Sequence, residues 1–160
     1  MTNQAIEILL VEDNPSDADL TLHALRKQNL ANHIELVGDG AQALDALFRR
    51  GSYAARAIDG CPKVVLLDLK LPKVNGLEVL REMKGDARTH NIPVVILTSS
   101  REECDLQEAY RLGANSYIVK PVDFVKFNDA VRQIGLYWVL LNQRPEQRPM
   151  EGPDARAVKN

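Results

Sequence analysis

Asp68 closes the stretch VVLLD (64–68), in which four apolar residues are followed at once by a carboxylate. Such a run reads as a strand buried on both faces, so the acid stands where the strand ends rather than on a hydrated face. Two more acids, Glu12 and Asp13, end the run ILLVED (8–13). A hydroxyl, Thr98, ends PVVILT (93–98) with Ser99 and Ser100 behind it, and an ammonium, Lys120, ends SYIVK (116–120) before Pro121. If the strands are parallel neighbours, these groups share one carboxyl edge of the sheet, where open α/β folds bind ligands. Carboxylates about 5 Å apart repel by roughly 3 kcal/mol per pair at an effective dielectric near 20, so the group must take up protons or a cation. Mg²⁺ suits it, being a hard ion that takes carboxylate, carbonyl and water oxygens. Thr98 can donate to an anion above Asp68, and the small Ser99 leaves room for one to enter. Taken singly, each signal has a plain structural alternative. Glu12 and Asp13 can be a polar strand end with Asp13 capping the next helix, and Thr98 a β-former before a helix. Lys120 can be solvated and Pro121 a strand terminator. Their conjunction at the ends of strands 1, 3, 4 and 5 points to one site.

The elements that must bring those ends together are legible as well. Five short apolar runs read as strands: EILLVE (7–12), HIELVG (33–38), KVVLLD (63–68), PVVILT (93–98) and SYIVK (116–120). Between the first two, PSDADLTLHALRKQ (15–28) opens on Asn14 as N-cap with Pro15 at the first helical position, and buries Ala18, Leu22 and Leu25 at helical spacing. The next helices place Ala43, Leu44 and Leu47 on one face, then Leu77, Leu80 and Met83, then Leu106, Ala109 and Tyr110. Ser100 and Glu103 have capping-box spacing, and Gly113 is placed to end its helix in a left-handed turn. A fifth helix is expected from Asp123 to Asn142. Five strands alternating with five helices specify a parallel α/β sheet, doubly wound, covered on both faces by right-handed crossovers.

Bulk properties narrow the function. At 160 residues and 45% hydrophobic, the chain suits one domain with one core. Twenty basic against 22 acidic residues give a net charge of -2, no field to recruit nucleic acid or an anionic membrane. No apolar run approaches the ~18 residues of a membrane span, and the start lacks the pattern of a signal peptide, so a cytoplasmic protein is expected. Cys61 and Cys104 match no metal spacing and no C-x-x-C pair, and read as thiols outside any disulfide. Residues 51–63 form a long connection. The tail QRPEQRPMEGPDARAVKN (143–160) is polar with three prolines, so a folded domain over 1–142 and a disordered tail over 143–160 are expected.

The motifs LLVEDN (9–14), LLDLKLPKVNG (66–76), VVILTSS (94–100) and YIVKP (117–121) together resemble those of the receiver domains of two-component response regulators. That resemblance, over about residues 5 to 142, implies a flavodoxin-like five-stranded sheet in the order 2-1-3-4-5. It implies that Asp68 is the phosphoacceptor for the phosphohistidine of a histidine kinase. Asp13 and the backbone carbonyl of Lys70 would join it on Mg²⁺, with Glu12 taking part through water. Thr98 and Lys120 would contact the phosphoryl group, with a cis Lys120–Pro121 bond aiming the lysine. Tyr117 falls at the family's aromatic switch position, although position alone makes it only a half-buried strand tyrosine. Lys70, two residues after Asp68, would lean over the phosphoryl group and slow its hydrolysis; the alternative is a plain solvated lysine.

Only 18 residues follow Asn142, so no DNA-binding output domain is expected and the signal should leave through a protein contact. In the fifth helix Phe127, Val131, Ile134, Trp138 and Leu141 make a core stripe. LYWVLL (136–141) is apolar all round, so Tyr137, Leu140 and part of Trp138 should stay exposed and pair in a homodimer, with the tail across the partner. A tail folded back over the patch is the alternative. The 51–63 connection and the aromatic helix end resemble single-domain regulators that serve phytochrome-type kinases. Two other readings are a Mg²⁺-dependent phosphohydrolase of the haloacid dehalogenase type and a binding module that works without phosphorylation. The first needs an Asp-x-Asp pair whose second acid would be Lys70, and the second would normally lack Asp68 or Lys120.

Overall fold

The computed structural model describes residues 6–27, 29, 33–54, 61–143 and 145. Strand β1 (Ile8–Val11) leads through helix α1 (Pro15–Lys27) to β2 (Ile34–Val37) and α2 (Gly40–Phe48). Then follow β3 (Val64–Leu67), α3 (Gly76–Gly85), β4 (Val94–Thr98), α4 (Glu103–Leu112), β5 (Ser116–Val119) and α5 (Phe124–Gly135). The strands are all parallel and lie in the order β2-β1-β3-β4-β5. The long connection begins as one 3₁₀ turn, Gly51–Tyr53; residues 55–60 and nearly all of the tail lie outside the described residues.

Residues β1, β3 and β4 are buried throughout, as their unbroken apolar runs require of strands covered on both faces. Side chains alternate between the two faces. Leu9, Val11, Val65, Leu67, Val94 and Ile96 pack with Ala43, Leu44, Val79, Leu80, Met83 and Ala109 of α2, α3 and α4. Ile8, Leu10, Val64, Leu66, Val95 and Leu97 pack with Ala24, Leu25, Phe127, Val131 and Ile134 of α1 and α5. Edge strands β2 and β5 are only partly covered.

Helix punctuation follows the local chemistry. Asn14 Oδ1 accepts from the Ser16 and Asp17 N–H groups at 3.0 and 3.2 Å, and Asp39, Asn75 and Asp123 cap α2, α3 and α5 in the same manner. Gly113 ends α4 at φ +108° with its N–H on the carbonyls of Ala109 and Tyr110. Three expectations fail. The Ser100–Glu103 capping box does not form, because Ser100 Oγ accepts from the Glu102 N–H and donates to Asp105 at 2.6 Å instead. Tyr110 is 50% exposed, since α4 faces the core with the buried Ala109 and the partly buried Leu112, and Tyr110 lies about 100° around the helix from Ala109.

The third failure concerns the end of the fifth helix. Leu136–Leu141 is π-helical, with the Asn142 N–H on the Tyr137 carbonyl at 2.7 Å. The wider turn shifts the inward stripe by one residue. Val139 enters the core, Trp138 is half-buried beside it, and Leu141, expected inside, is 61% exposed.

Candidate functional site

Parallel register brings the predicted groups to one place. Val11 and Leu67 are paired neighbours on β1 and β3, so Glu12 and Asp68 emerge side by side, and Thr98 pairs with Val119, the residue before Lys120. Backbone bonds continue the ladder one step past the strands. The Asp68 N–H donates to Val11 O at 3.1 Å, and the Lys120 N–H to Thr98 O at 2.7 Å. Glu12, Asp68 and Thr98 are buried, while Asp13 faces solvent.

Both carboxylate oxygens of Asp68 are engaged. Oδ1 accepts from the Thr98 hydroxyl at 2.8 Å and from the Lys70 backbone N–H at 3.3 Å; Oδ2 accepts from Lys120 Nζ at 3.0 Å. Lys120 Nζ also reaches Glu12 Oε2 at 2.7 Å and Asp17 Oδ2 at 2.9 Å. Glu12 is steadied by the Asn14 N–H on its other oxygen at 3.1 Å. Burial pushes the Glu12 carboxyl up to about 7, with the Asp68 charge acting in the same direction and the Lys120 hydrogen bond opposing both. Burial works against the charge on Lys120, but the hydrogen bonds it donates to Glu12, Asp17 and Asp68 outweigh that and hold its pKa above the usual lysine value.

The ligand atoms of Glu12, Asp13 and Asp68 lie within 4.8 Å of one another. A set of hard oxygen donors at that spacing fits a divalent cation, which would also offset the surplus of carboxylates over the single ammonium. From Thr98 a second chain of bonds runs outward. The Ser100 N–H donates to Thr98 Oγ1 at 3.3 Å, and the half-buried Tyr117 hydroxyl donates to Ser100 O at 3.1 Å.

The site therefore gathers Glu12, Asp13, Asp68, Thr98 and Lys120, with Lys70 and Tyr117 at its margin. One expectation is corrected here. Among the described residues no peptide bond is cis, so Lys120–Pro121 is trans. The ammonium reaches its three carboxylates from that ordinary backbone, and the ion pairs hold it there. Sequence reasoning missed Asp17, whose one signal is its place in the first turn of the helix that follows the Glu12–Asp13 pair. It also missed the close approach of Gly76, where a Cβ would meet the Asp68 carbonyl oxygen at 2.3 Å.

A doubly wound parallel sheet with acids, a hydroxyl and a lysine converging at its carboxyl edge is the flavodoxin-like class of ligand-binding domain. Within that class, the chain belongs to the response regulator receiver domain family, matched over residues 8–132. Receiver domains are signalling phosphoacceptors of two-component systems, served by histidine kinases, rather than enzymes acting on an external substrate. The chain is 43% identical to the probable methanogenesis regulatory protein FilR2 of Methanothrix harundinacea over 86% of either chain. The phosphorylated cyanobacterial phytochrome response regulator RcpA superposes with a TM-score of 0.82 at 36% identity, covering 89% of this chain and 100% of that one. The bacteriophytochrome response regulator AtBRR is 55% identical with a TM-score of 0.69, covering 88% and 99%. Among the described residues, no helix is long and apolar enough to cross a membrane.

Proposed function

We propose that Asp68 is the phosphoacceptor of a response regulator that takes a phosphoryl group from the phosphohistidine of a histidine kinase. The observation that carries this is the buried strand-end carboxylate held by Thr98 on one oxygen and Lys120 on the other. In the transfer an Asp68 oxygen attacks phosphorus, an O–P bond forms as the P–N bond breaks, and the electron pair stays with the imidazole nitrogen. Catalysis is positioning and charge. Lys120 and Thr98 already point donors at Asp68, where the phosphoryl oxygens arrive, so little reorganisation is needed. Asp13, Asp68 and the Lys70 carbonyl would hold Mg²⁺, with Glu12 taking part through water; when bound, the ion supplies positive charge to the phosphoryl oxygens. The same groups make the chain the catalyst of its own phosphorylation and dephosphorylation.

Engagement of Thr98 by the phosphoryl group draws its hydroxyl from the Ser100 N–H and biases the Thr98, Tyr117 and Pro121 region towards a second arrangement. The surface that reads it out belongs to a receiver domain over 1–142, in the cytoplasm, and acts without binding nucleic acid. Likeness to RcpA and AtBRR supports a phytochrome-type sensor kinase as the donor. Tyr137 and Leu140, 50% and 54% exposed beside Leu136 and Leu141, support a homodimer centred on Tyr137, Trp138 and Leu140, with the tail lying across the partner. Intact-mass measurement after incubation with phosphoramidate tests the central assignment. Wild type should gain one phosphoryl mass that EDTA abolishes, and an Asp68→Asn variant that gains it equally would remove Asp68 from its role.

A further inference from the structure

Lys120 has three N–H donors, and each meets a different carboxylate: Glu12 at 2.7 Å, Asp17 at 2.9 Å and Asp68 at 3.0 Å. An ammonium has no fourth. Glu12 and Asp68 belong to strand ends, but Asp17 comes from the first turn of α1, and nothing in the phosphoacceptor chemistry above requires it. It stands outside the group of Glu12, Asp13 and Asp68 that could share a cation. Its backbone is held in place. The Asp17 N–H donates to the cap Asn14, and its carbonyl accepts from the buried Thr21 hydroxyl at 2.8 Å. Its side chain keeps 29% exposure, against 8% for Lys120, so Asp17 is the more solvent-exposed partner of the pair.

We propose that Asp17 is a positioning residue for phosphoryl transfer, anchoring the Lys120 ammonium to α1. This rests on Asp68 being the phosphoacceptor. Glu12 and Asp17 together hold two of the three N–H groups, which leaves the third, now on Asp68 Oδ2, as the one that turns to a phosphoryl oxygen. A lysine is a point charge on a flexible four-carbon stem, so its donor directions are set by its partners. Without Asp17, one N–H turns to water, the ammonium gains freedom to rotate, and the donor aimed at Asp68 is no longer preorganised. Were Asp17 only a rival for the ammonium, neutralising it would instead speed the transfer.

The test uses the full chain with phosphoramidate and Mg²⁺, followed by intact mass. Asp17→Asn should slow phosphorylation by about tenfold, in keeping with the loss of one positioning contact. The Mg²⁺ concentration at half-maximal rate should stay within about twofold of wild type, because Asp17 is not placed as a metal ligand. Asp17→Glu should recover most of the rate. In a Lys120→Met background, Asp17→Asn should have no further effect, since no ammonium remains to be placed. Nitrogen-15 relaxation of the Lys120 ammonium gives an independent readout, with order falling in Asp17→Asn and returning in Asp17→Glu. Faster phosphorylation, equal slowing in both Lys120 backgrounds, or an unchanged ammonium overturns the role of Asp17 alone. A wild-type chain inert to the phosphodonor overturns the Asp68 assignment and this inference with it.

Discussion

Gly76 is the first residue of α3, and its N–H donates to Leu69 O at 2.9 Å. A methyl group there would lie 2.3 Å from the Asp68 carbonyl oxygen, 2.6 Å from Leu69 Cα and 3.0 Å from the Asp68 carbonyl carbon. All three neighbours are backbone, so no side-chain rotation relieves the overlap. Ordinary contact begins near 3.4 Å, which makes the shortfall about 1 Å, to be met by moving α3 away from the end of β3 or Asp68 away from the site. Overpacking of this kind costs about 1–3 kcal/mol, and in a chain of 160 residues each kcal/mol lowers Tm by roughly 2–4 °C. Gly76→Ala should therefore lower Tm by about 2–12 °C. The chemical cost should be larger, since a displacement near 1 Å at a reacting group can remove about a hundredfold in rate. Gly85→Ala, at the other end of the same helix with nothing within 4 Å of the added carbon, should stabilise by roughly 0.5–1 kcal/mol and leave the rate alone. Thermal unfolding and phosphoramidate time courses measure both. A Gly76→Ala chain with wild-type Tm and rate would show that the contact with Asp68 does not constrain the site.

In metal-free protein, Glu12 should impose a pH dependence on stability. Its folded pKa, about 7, lies above the 4.5 of the unfolded chain, so its favourable contribution is full below about 4.5 and is lost as pH rises to about 7. In EDTA, the stability difference between wild type and Glu12→Gln should fall across that window, and a flat difference in denaturant midpoints would refute the shift. Lys70 is exposed, and Lys70→Asn should shorten the life of the aspartyl phosphate if its ammonium shields the phosphoryl group; equal decay rates would leave it a solvated lysine. Tyr137→Asp/Leu140→Asp should convert a dimer to a monomer in light scattering at micromolar concentration, and an unchanged dimer would place the interface elsewhere.

Signals that depend on a few neighbouring residues were legible in the sequence. The continuous apolar runs of β1, β3 and β4, the caps Asn14 and Gly113, and the five-fold alternation of strand and helix each report a local backbone preference, and together they imply the doubly wound sheet. Because parallel strands align their carboxyl ends, the same alternation brought Glu12, Asp13, Asp68, Thr98 and Lys120 to one edge. Tertiary structure decided what no local pattern encodes. Asp17 and Lys120, 103 residues apart, meet only because α1 starts beside the β1–β3 junction and β5 ends within reach of it. Ser100 had two partners within sequence reach, and the packing of α4 selected Asp105 over Glu103. The π-helical turn replaced Leu141 with Val139 in the core, since a stripe projected at 3.6 residues per turn fails wherever the turn widens. The small size of Gly76 gains its meaning from the Asp68 backbone pressed against it, a contact set by how helix and sheet pack rather than by either segment alone.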